Sequence, residues 1–352
     1  MRIFSAIRPL LRPMANSGIV QLPSLLDDAT TALGGIAPYH YWDFTQDRAL
    51  FARVDVKEVT STPGWSFTRA TVGTAETASG QIIQFASGEI RRTDKGLLIE
   101  GARTNLFLNS ATGATQNVTV AATAHTLTFR GTGTITLSGT STAGPLVGTG
   151  VNDRVALTFT PTAGTLTLTV SGSCTNVQLE AGGFATSWIP TAGSSVTRNA
   201  DVLTVSSPGI DYPMTLFADF TRAVDVGAAE INIHVEGSGG ATDRAFLGTD
   251  SFDRANGAVT TSSAVQANYN PAGSLALNTR YRLAMRVAAN SAQFVANGVL
   301  GTEDTAVTVP ATPTLIRIGT RESGNFQSYG YTRRLALFNS ALTDAQLQTI
   351  TT

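Results

Sequence analysis

Gly164-Thr-Leu-Thr-Leu-Thr-Val170 decides the fold class. Leu166, Leu168 and Val170 stand two apart with threonine between them, the period at which a strand sends alternate side chains to opposite faces. The pattern spreads outward through Val118 and Val120, Leu127 and Phe129, Ile135 and Leu137, and Val155, Leu157 and Phe159. Glycine-bearing turns such as Gly131-Thr-Gly133 and Ala163-Gly164 separate the runs. From Gln116 to about Glu180 the chain therefore predicts antiparallel strands with one buried face, a small β-sandwich of jelly-roll type within residues 111–200. Threonine on the outer face keeps the strands β-branched without charge, which suits side-by-side packing in an oligomer. Cys174, just beyond the central run, reads as a small core residue; a lone cysteine leaves no internal disulfide to form.

Immediately upstream, GLLIEGARTNLFLN (Gly96–Asn109) is a junction between irregular sequence and these regular strands. Leu97, Leu98 and Ile99 form a short run that can be fully buried, and Gly101 permits a turn or a close backbone approach. Arg103 and Asn105 sit in the polar gap before Leu106, with Glu100 the nearest partner for the guanidinium fork. Glu100, Arg103 and Asn105 are thus expected to brace the connection rather than to catalyse. Arg91, Arg92, Asp94 and Lys95 read as a solvated turn before it, and Thr197-Arg-Asn-Ala-Asp201 as a linker after the sandwich.

Three blocks in this region carry a resemblance: WSFTRAT (Trp65–Thr71), GLLIEGARTNLFLNS (Gly96–Ser110) and VQLEAGGFATSWIPT (Val177–Thr191). Together they span roughly residues 41–201 and resemble the modular spike and fibre proteins of tailed bacteriophages and related particles. The resemblance implies a virion component, usually trimeric. Its base would attach to other virion proteins (capsid, neck or tail), and its distal β-domains would meet the host surface.

Residues 1–40 differ from the rest. Ile3, Phe4, Ile7, Leu10 and Leu11 make a short apolar stripe interrupted by Pro9 and Pro13, and Leu22 to Leu33 is a second weakly helical stretch. This segment is read as an anchoring arm, with a partly disordered leader as the alternative. Arg8, Pro9, Arg12 and Pro13 break what would be the apolar region of a secretory signal, so export is not expected. Residues 41–110 then form an aromatic, irregular attachment or connector module. Tyr41-Trp42-Asp43-Phe44 there suits either a sugar-stacking platform or the core of a domain poor in aliphatics, and core is the preferred reading.

Downstream, the segment 201–352 holds longer strand candidates: Met214 to Phe220, Glu230 to Val235, Tyr281 to Val287, Ala292 to Ala296, Leu315 to Ile318 and Arg334 to Phe338. Thr343-Asp-Ala-Gln346 is a capping box, with Leu342 and Leu347 placed as a hydrophobic staple, so a short helix is predicted from Asp344. RYRLAMRV (Arg280–Val287), QFVANG (Gln293–Gly298), IRIG (Ile316–Gly319) and LALFNSALTDAQL (Leu335–Leu347) resemble the concanavalin A-like, laminin-G-like jelly roll. That resemblance implies a module for sugar or protein recognition, sometimes with calcium.

Composition narrows the chemistry. The 24 basic and 25 acidic residues nearly cancel and neither sign gathers into a block, which gives no footprint for nucleic acid or an anionic membrane. No apolar run approaches the roughly 20 residues that cross a bilayer, so a soluble chain without membrane insertion is expected. His40, His125 and His234 fall in three different segments and are read as surface or half-buried strand residues rather than catalytic bases. Glu230-Ile-Asn-Ile-His-Val-Glu236 offers two glutamates on one strand, but six residues place them roughly 20 Å apart, too far for retaining hydrolysis.

Asp243, Asp250 and Asp253 on a Gly-rich stretch are candidate calcium ligands, with turn-capping as the alternative; no other cofactor is expected. Tyr269, Phe326, Tyr329 and Tyr331, with Asn270, Arg321 and Asn325 nearby, offer the aromatic faces and polar groups of a sugar site. The sequence therefore predicts an all-β, non-enzymatic spike or fibre protein of a phage-like particle, assembled in the bacterial cytoplasm. It is expected to be a homotrimer, attached through residues 1–110 and displaying a C-terminal jelly roll toward host surface polysaccharide. A passive decoration or connector protein and a polysaccharide depolymerase are its rivals.

Overall fold

The computed structural model describes residues 24–271, 273–321 and 326–352. Among the described residues the chain is built from two β-sandwiches, every named strand pair being antiparallel. The larger has a sheet ordered Val299–Leu300, Ser291–Ala296, Arg280–Ala288, Met214–Thr221, Tyr331–Phe338, His40–Asp43, Arg48–Phe51, Val54–Asp55. Facing it is a sheet ordered Ala264–Tyr269, Ala255–Thr261, Arg244–Thr249, Glu230–Gly237, Pro313–Ile318, Val202–Ser206, Trp65–Thr68. Their inner faces meet in one core that includes Trp42, Leu216, Ile233, Leu247, Leu283, Phe294, Ile316 and Leu335.

The smaller sandwich packs Gln116–Val120, Gly164–Ser171, Thr134–Gly139 and Leu146–Val147 against Gly150–Phe159, His125–Gly131 and Cys174–Ala181. Leu127, Phe129, Ile135, Leu137, Leu166, Leu168 and Cys174 lie buried between them, the residues that the period-two pattern selects.

Helix Asp344–Thr351 begins at its capping box: Thr343 Oγ1 accepts from Gln346 N (3.3 Å), and Gln346 Oε1 accepts from Thr343 N (2.9 Å). It lies on the outer face of the larger sheet beside a second capped helix, Leu25–Ala32, with Leu25, Ala29, Leu342, Leu347 and Ile350 covering Phe217, Ala336 and Phe338. The anchoring arm read over 1–40 is thus packed onto the sandwich from Leu25 onward, and residues 1–23 lie outside the described residues.

Residues 41–110, expected as a separate module, instead supply strands to the larger sandwich. His40 pairs with Leu337, Phe67 with Leu203, and Leu97 with Thr332. Tyr41, Trp42 and Phe44 are buried, which makes them core rather than a platform. The expected surface or half-buried histidines are also buried, His40 and His234 completely, because their strands are covered on both faces. Burial holds the His40 imidazole down at about 4, against a smaller opposing effect of the Pro208 backbone, so it is neutral in the fold.

Candidate functional site

The junction between the two sandwiches is tied by a buried ionic cluster. Arg91 Nη1 donates to Glu100 Oε2 (2.6 Å) and to Thr74 O (2.9 Å), while its Nη2 pairs with Asp201. Arg198 Nη1 donates to the same Glu100 oxygen (2.7 Å) and its Nη2 to Gly101 O (2.6 Å). Arg69 Nη1 reaches Asp201 Oδ1 (3.0 Å), and its other nitrogens donate to Thr71 O and Ala86 O. Ser187 donates from N (2.9 Å) and Oγ (2.6 Å) to Glu100. Burial alone would raise the Glu100 carboxyl, but Arg198 and Arg91 override it and hold it at about 2. Two expectations change here. Arg91 is fully buried rather than on a solvated turn, and the stretch 197–201 is a seam that buries Arg198 and Asp201, with Val196–Arg198 pairing with Arg103–Asn105.

Of the three junction residues, Glu100 and Asn105 are buried and fastened. Asn105 Nδ2 donates to Val177 O (3.1 Å) and Ile189 O (2.8 Å), and its Oδ1 accepts from Phe107 N and Leu179 N (both 3.0 Å). Arg103 does not pair with Glu100; its guanidinium lies over Phe184 (4.9 Å to the ring centre) and 3.8 Å from Glu180.

Beside this cluster lies a cleft of about 320 Å³ to which both sandwiches contribute. The Gly73–Glu76 and Ile82–Phe85 hairpin brings Glu76, the smaller sandwich brings Arg130, Arg154 and Asn176, and the segment after it brings Ser187 and Trp188. Lys95, Asn278, Tyr329 and Tyr331 close the other side. Arg130 pairs with Glu76 (2.9 Å), Arg154 Nη2 donates to Thr128 Oγ1 (2.8 Å), and the Lys95 ammonium sits 4.3 Å from the centre of the Tyr331 ring. Tyr329 meets Phe184 edge to face at 5.0 Å, and burial raises the pKa of both tyrosines, keeping them neutral donors. The indole Nε1 of Trp188 is buried and has no acceptor among the described residues. Aromatic rings, amides and charges line this polar cleft, whose volume is at the small end of the ligand-pocket range.

The sugar candidates read from sequence are not gathered in one place. Tyr329 and Tyr331 line the junction cleft. Tyr269 and Asn270 line a separate, more open hollow of about 500 Å³ with Phe294, Glu303 and Asp304. There the Tyr269 hydroxyl is already engaged, donating to Ala292 O and accepting from Asp304 N (2.9 Å), and its ring stacks on Phe294. Arg321 lies over Phe326 (4.6 Å), whose carbonyl accepts from Ile231 N (3.0 Å). Asn325 lies outside the described residues.

Asp243 is separated from Asp250 and Asp253, which share one turn (Asp253 N to Asp250 O, 3.1 Å), because residues 244–249 are a strand and not a loop. Asp243 precedes that strand and accepts from Ser262 N (3.2 Å) and Thr242 Oγ1 (3.1 Å). Asp250 follows it and holds Arg254 through Nε (2.8 Å) and Nη2 (2.6 Å), and Asp253 pairs with Arg222. They form no shared oxygen cluster for calcium. On Glu230–Gly237 the two glutamates part company as well. Glu236 accepts from Arg317 (Nε 3.0 Å, Nη2 2.8 Å), whereas Glu230 lies 3.8 Å from Arg222, and burial raises its carboxyl to about 8.

Trp188, Arg130, Arg154 and Glu76 are cleft residues that sequence reasoning did not single out, and Lys95, read as part of a solvated turn, lines the cleft against the Tyr331 ring. Trp188 stood inside one of the three quoted blocks; the others are spaced across the chain with no pattern of their own.

No protein-family model matches the chain, and no curated protein matches its sequence. Among solved structures it is similar to the Ruminococcus gnavus IT-sialidase CBM40 bound to alpha2,3 sialyllactose, at 13% identity over 42% of this chain and 89% of that one, with a TM-score of 0.36. It is similar to a heptameric SAP-like pentraxin from Limulus polyphemus, at 13% identity over 40% of this chain and 70% of the pentraxin, TM-score 0.33. It is also similar to the Trypanosoma rangeli sialidase, at 16% identity over 42% of this chain and 25% of that one, TM-score 0.35.

Proposed function

We propose that this chain is a non-enzymatic glycan-binding protein of a phage or phage-like particle, a spike or fibre that meets host surface polysaccharide. The observation that carries glycan binding is the junction cleft, which Trp188, Tyr329 and Tyr331 line together with Asn176 and Asn278. Binding rather than hydrolysis is supported by the state of its carboxylates. Glu100 is held ionised and fully hydrogen-bonded, so it is not poised as the protonated acid that glycosidic cleavage needs, and Glu76 is tied to Arg130. Placement on a virion, with attachment through the N-terminal residues, rests on the resemblance of the three sequence blocks.

A connector role is favoured by one further observation. Gly150–Phe159 is an edge strand with Val151 and, beside it, Val147 well exposed, a template on which a neighbouring chain can pair. The same edge supports the proposed homotrimer, which sedimentation at micromolar concentration checks; a monomer there would contradict it. For the glycan reading, the full chain is incubated with intact host cells and with their extracted polysaccharide, and reducing ends are assayed alongside. Saturable binding that free polysaccharide competes, with no release of reducing ends, is expected. Sugar release would overturn the non-enzymatic reading, and absence of binding would leave the connector.

A further inference from the structure

We propose, resting on the glycan-binding reading of the junction cleft, that the sugar it takes is acidic, its carboxylate held between Arg154 and Lys95. The argument is one of charge. Glu100 is matched by Arg91 and Arg198, and Glu76 by Arg130. Arg154 and Lys95 line the same cleft, and among the described residues neither makes an ion pair. Arg154 is half-buried and uses one nitrogen on Thr128, which leaves the rest of its fork to a ligand. The Lys95 ammonium rests on the Tyr331 ring, a contact that steadies a cation without neutralising it.

Two cations without an ion pair in a partly enclosed cleft attract an anion, and a planar carboxylate matches a guanidinium fork. The carboxylates that act on Arg154 from nearby are already engaged, Glu180 by Thr186, Glu100 by Arg91 and Arg198, and Glu76 by Arg130. A neutral sugar would leave both charges partly desolvated and unanswered, a loss that selects against it. The chemical class is therefore a pyranose carrying a carboxylate, such as a uronic or sialic acid.

The test compares the full chain's affinity for oligosaccharides of alginate, hyaluronan and polysialic acid with that for the same oligosaccharides after chemical reduction of their carboxyl groups. At least one native oligosaccharide should bind saturably, and its reduced form should bind at least about tenfold more weakly. Lys95→Gln and Arg154→Gln should each cost the native ligand about tenfold while leaving the reduced one unchanged. Arg48→Gln, a surface cation paired with Asp28 away from the cleft, should change neither. Thermal unfolding of each variant verifies that it folds, and the native-against-reduced comparison needs no variant.

Equal binding of native and reduced forms would overturn acid selectivity while leaving glycan binding intact. So would losses at Lys95 and Arg154 no larger than at Arg48, or binding only to a phosphodiester polymer such as teichoic acid. No binding to any carbohydrate would overturn both this inference and the reading it rests on.

Discussion

Replacing Glu100 with glutamine preserves the side chain's size and removes its charge from the centre of the junction. The carboxylate accepts from Arg91 Nη1 (2.6 Å), Arg198 Nη1 (2.7 Å), Ser187 N (2.9 Å) and Ser187 Oγ (2.6 Å), all buried or nearly so. In the variant, Arg69 and Arg91 keep their ion pairs with Asp201, whereas Arg198 loses its ion pair with Glu100. Breaking a buried pair from one side costs about 3–5 kcal/mol, because the partner is left charged and uncompensated. Linkage gives the same order. A carboxyl held down from 4.5 to about 2 contributes roughly 3 kcal/mol near neutral pH. At about 2.1 cal/mol/K of unfolding entropy per residue, a loss of that size should lower the melting temperature by roughly 4–7 °C.

The sign follows from proton binding. The native carboxyl holds its proton less tightly than the unfolded chain does, so the contribution is complete above about pH 4.5 and disappears as pH falls through about 2. Scanning calorimetry of both proteins at neutral and at acid pH measures it. The gap between wild type and variant should be full near pH 7 and should shrink steadily below about pH 4. A variant within about 1 kcal/mol of wild type at neutral pH, or a gap that does not change with acid, would refute the reasoning.

Three further outcomes are expected. Burial raises Glu230 to about 8, Arg222 offsetting only part of it, so the fold keeps a proton that the unfolded chain releases. Stability should therefore decline from about pH 4.5 to about pH 8, and Glu230→Gln should remove most of that decline, about 3 kcal/mol, in urea titrations at the two ends. Asn105→Ala strips partners from two carbonyls and two N–H groups and should cost about 2–4 kcal/mol, with faster hydrogen exchange at Phe107 and Leu179. Gly101→Ala would put a Cβ 2.3 Å from the Tyr329 hydroxyl, the movable end of a side chain, so it should displace that ring and weaken glycan binding with little change in melting temperature.

The parts of this fold that were legible in the sequence are those whose signal is local. Leu127, Phe129, Ile135, Leu137, Leu166 and Leu168 alternate because one face of each strand is buried, and they form the core of the smaller sandwich. The capping box at Thr343 is equally local, and the helix starts where it says. Strands 40–43, 65–68 and 96–98 were hidden because they are short and their partners lie far along the chain: His40 meets Leu337, and Trp65 meets Val205. The glycines of 244–261 imitated a loop signal. In fact a Cβ at Gly248 would lie 2.0 Å from Glu230 O, and one at Gly257 would lie 2.7 Å from the Phe294 ring, so they mark close packing within strands.

The cleft was partly legible. Glu100 and Asn105 stood out because polar residues interrupt apolar runs there, and Tyr329 and Tyr331 because they are aromatic residues near an expected loop. Arg91 was taken for solvated charge and Arg198 for part of a linker because their acidic partners are remote in sequence, Asp201 lying 110 residues from the former and Glu100 98 residues from the latter. Nothing in the spacing of Lys95, Arg130 and Arg154 announces that three separate elements converge.

The central claim, that a glycan sits in the junction cleft, is tested most directly by the indole N–H signals of the chain's three tryptophans in a nitrogen-15 spectrum. Trp42 Nε1 donates to Thr62 Oγ1 (3.1 Å) inside the core and serves as the internal reference, whereas Trp188 is a lining residue of the cleft. Titration with host polysaccharide fragments should move the Trp188 signal saturably, with the affinity measured by direct binding, and leave Trp42 in place. Saturable binding with Trp188 unmoved would put the sugar elsewhere on the molecule and contradict the account.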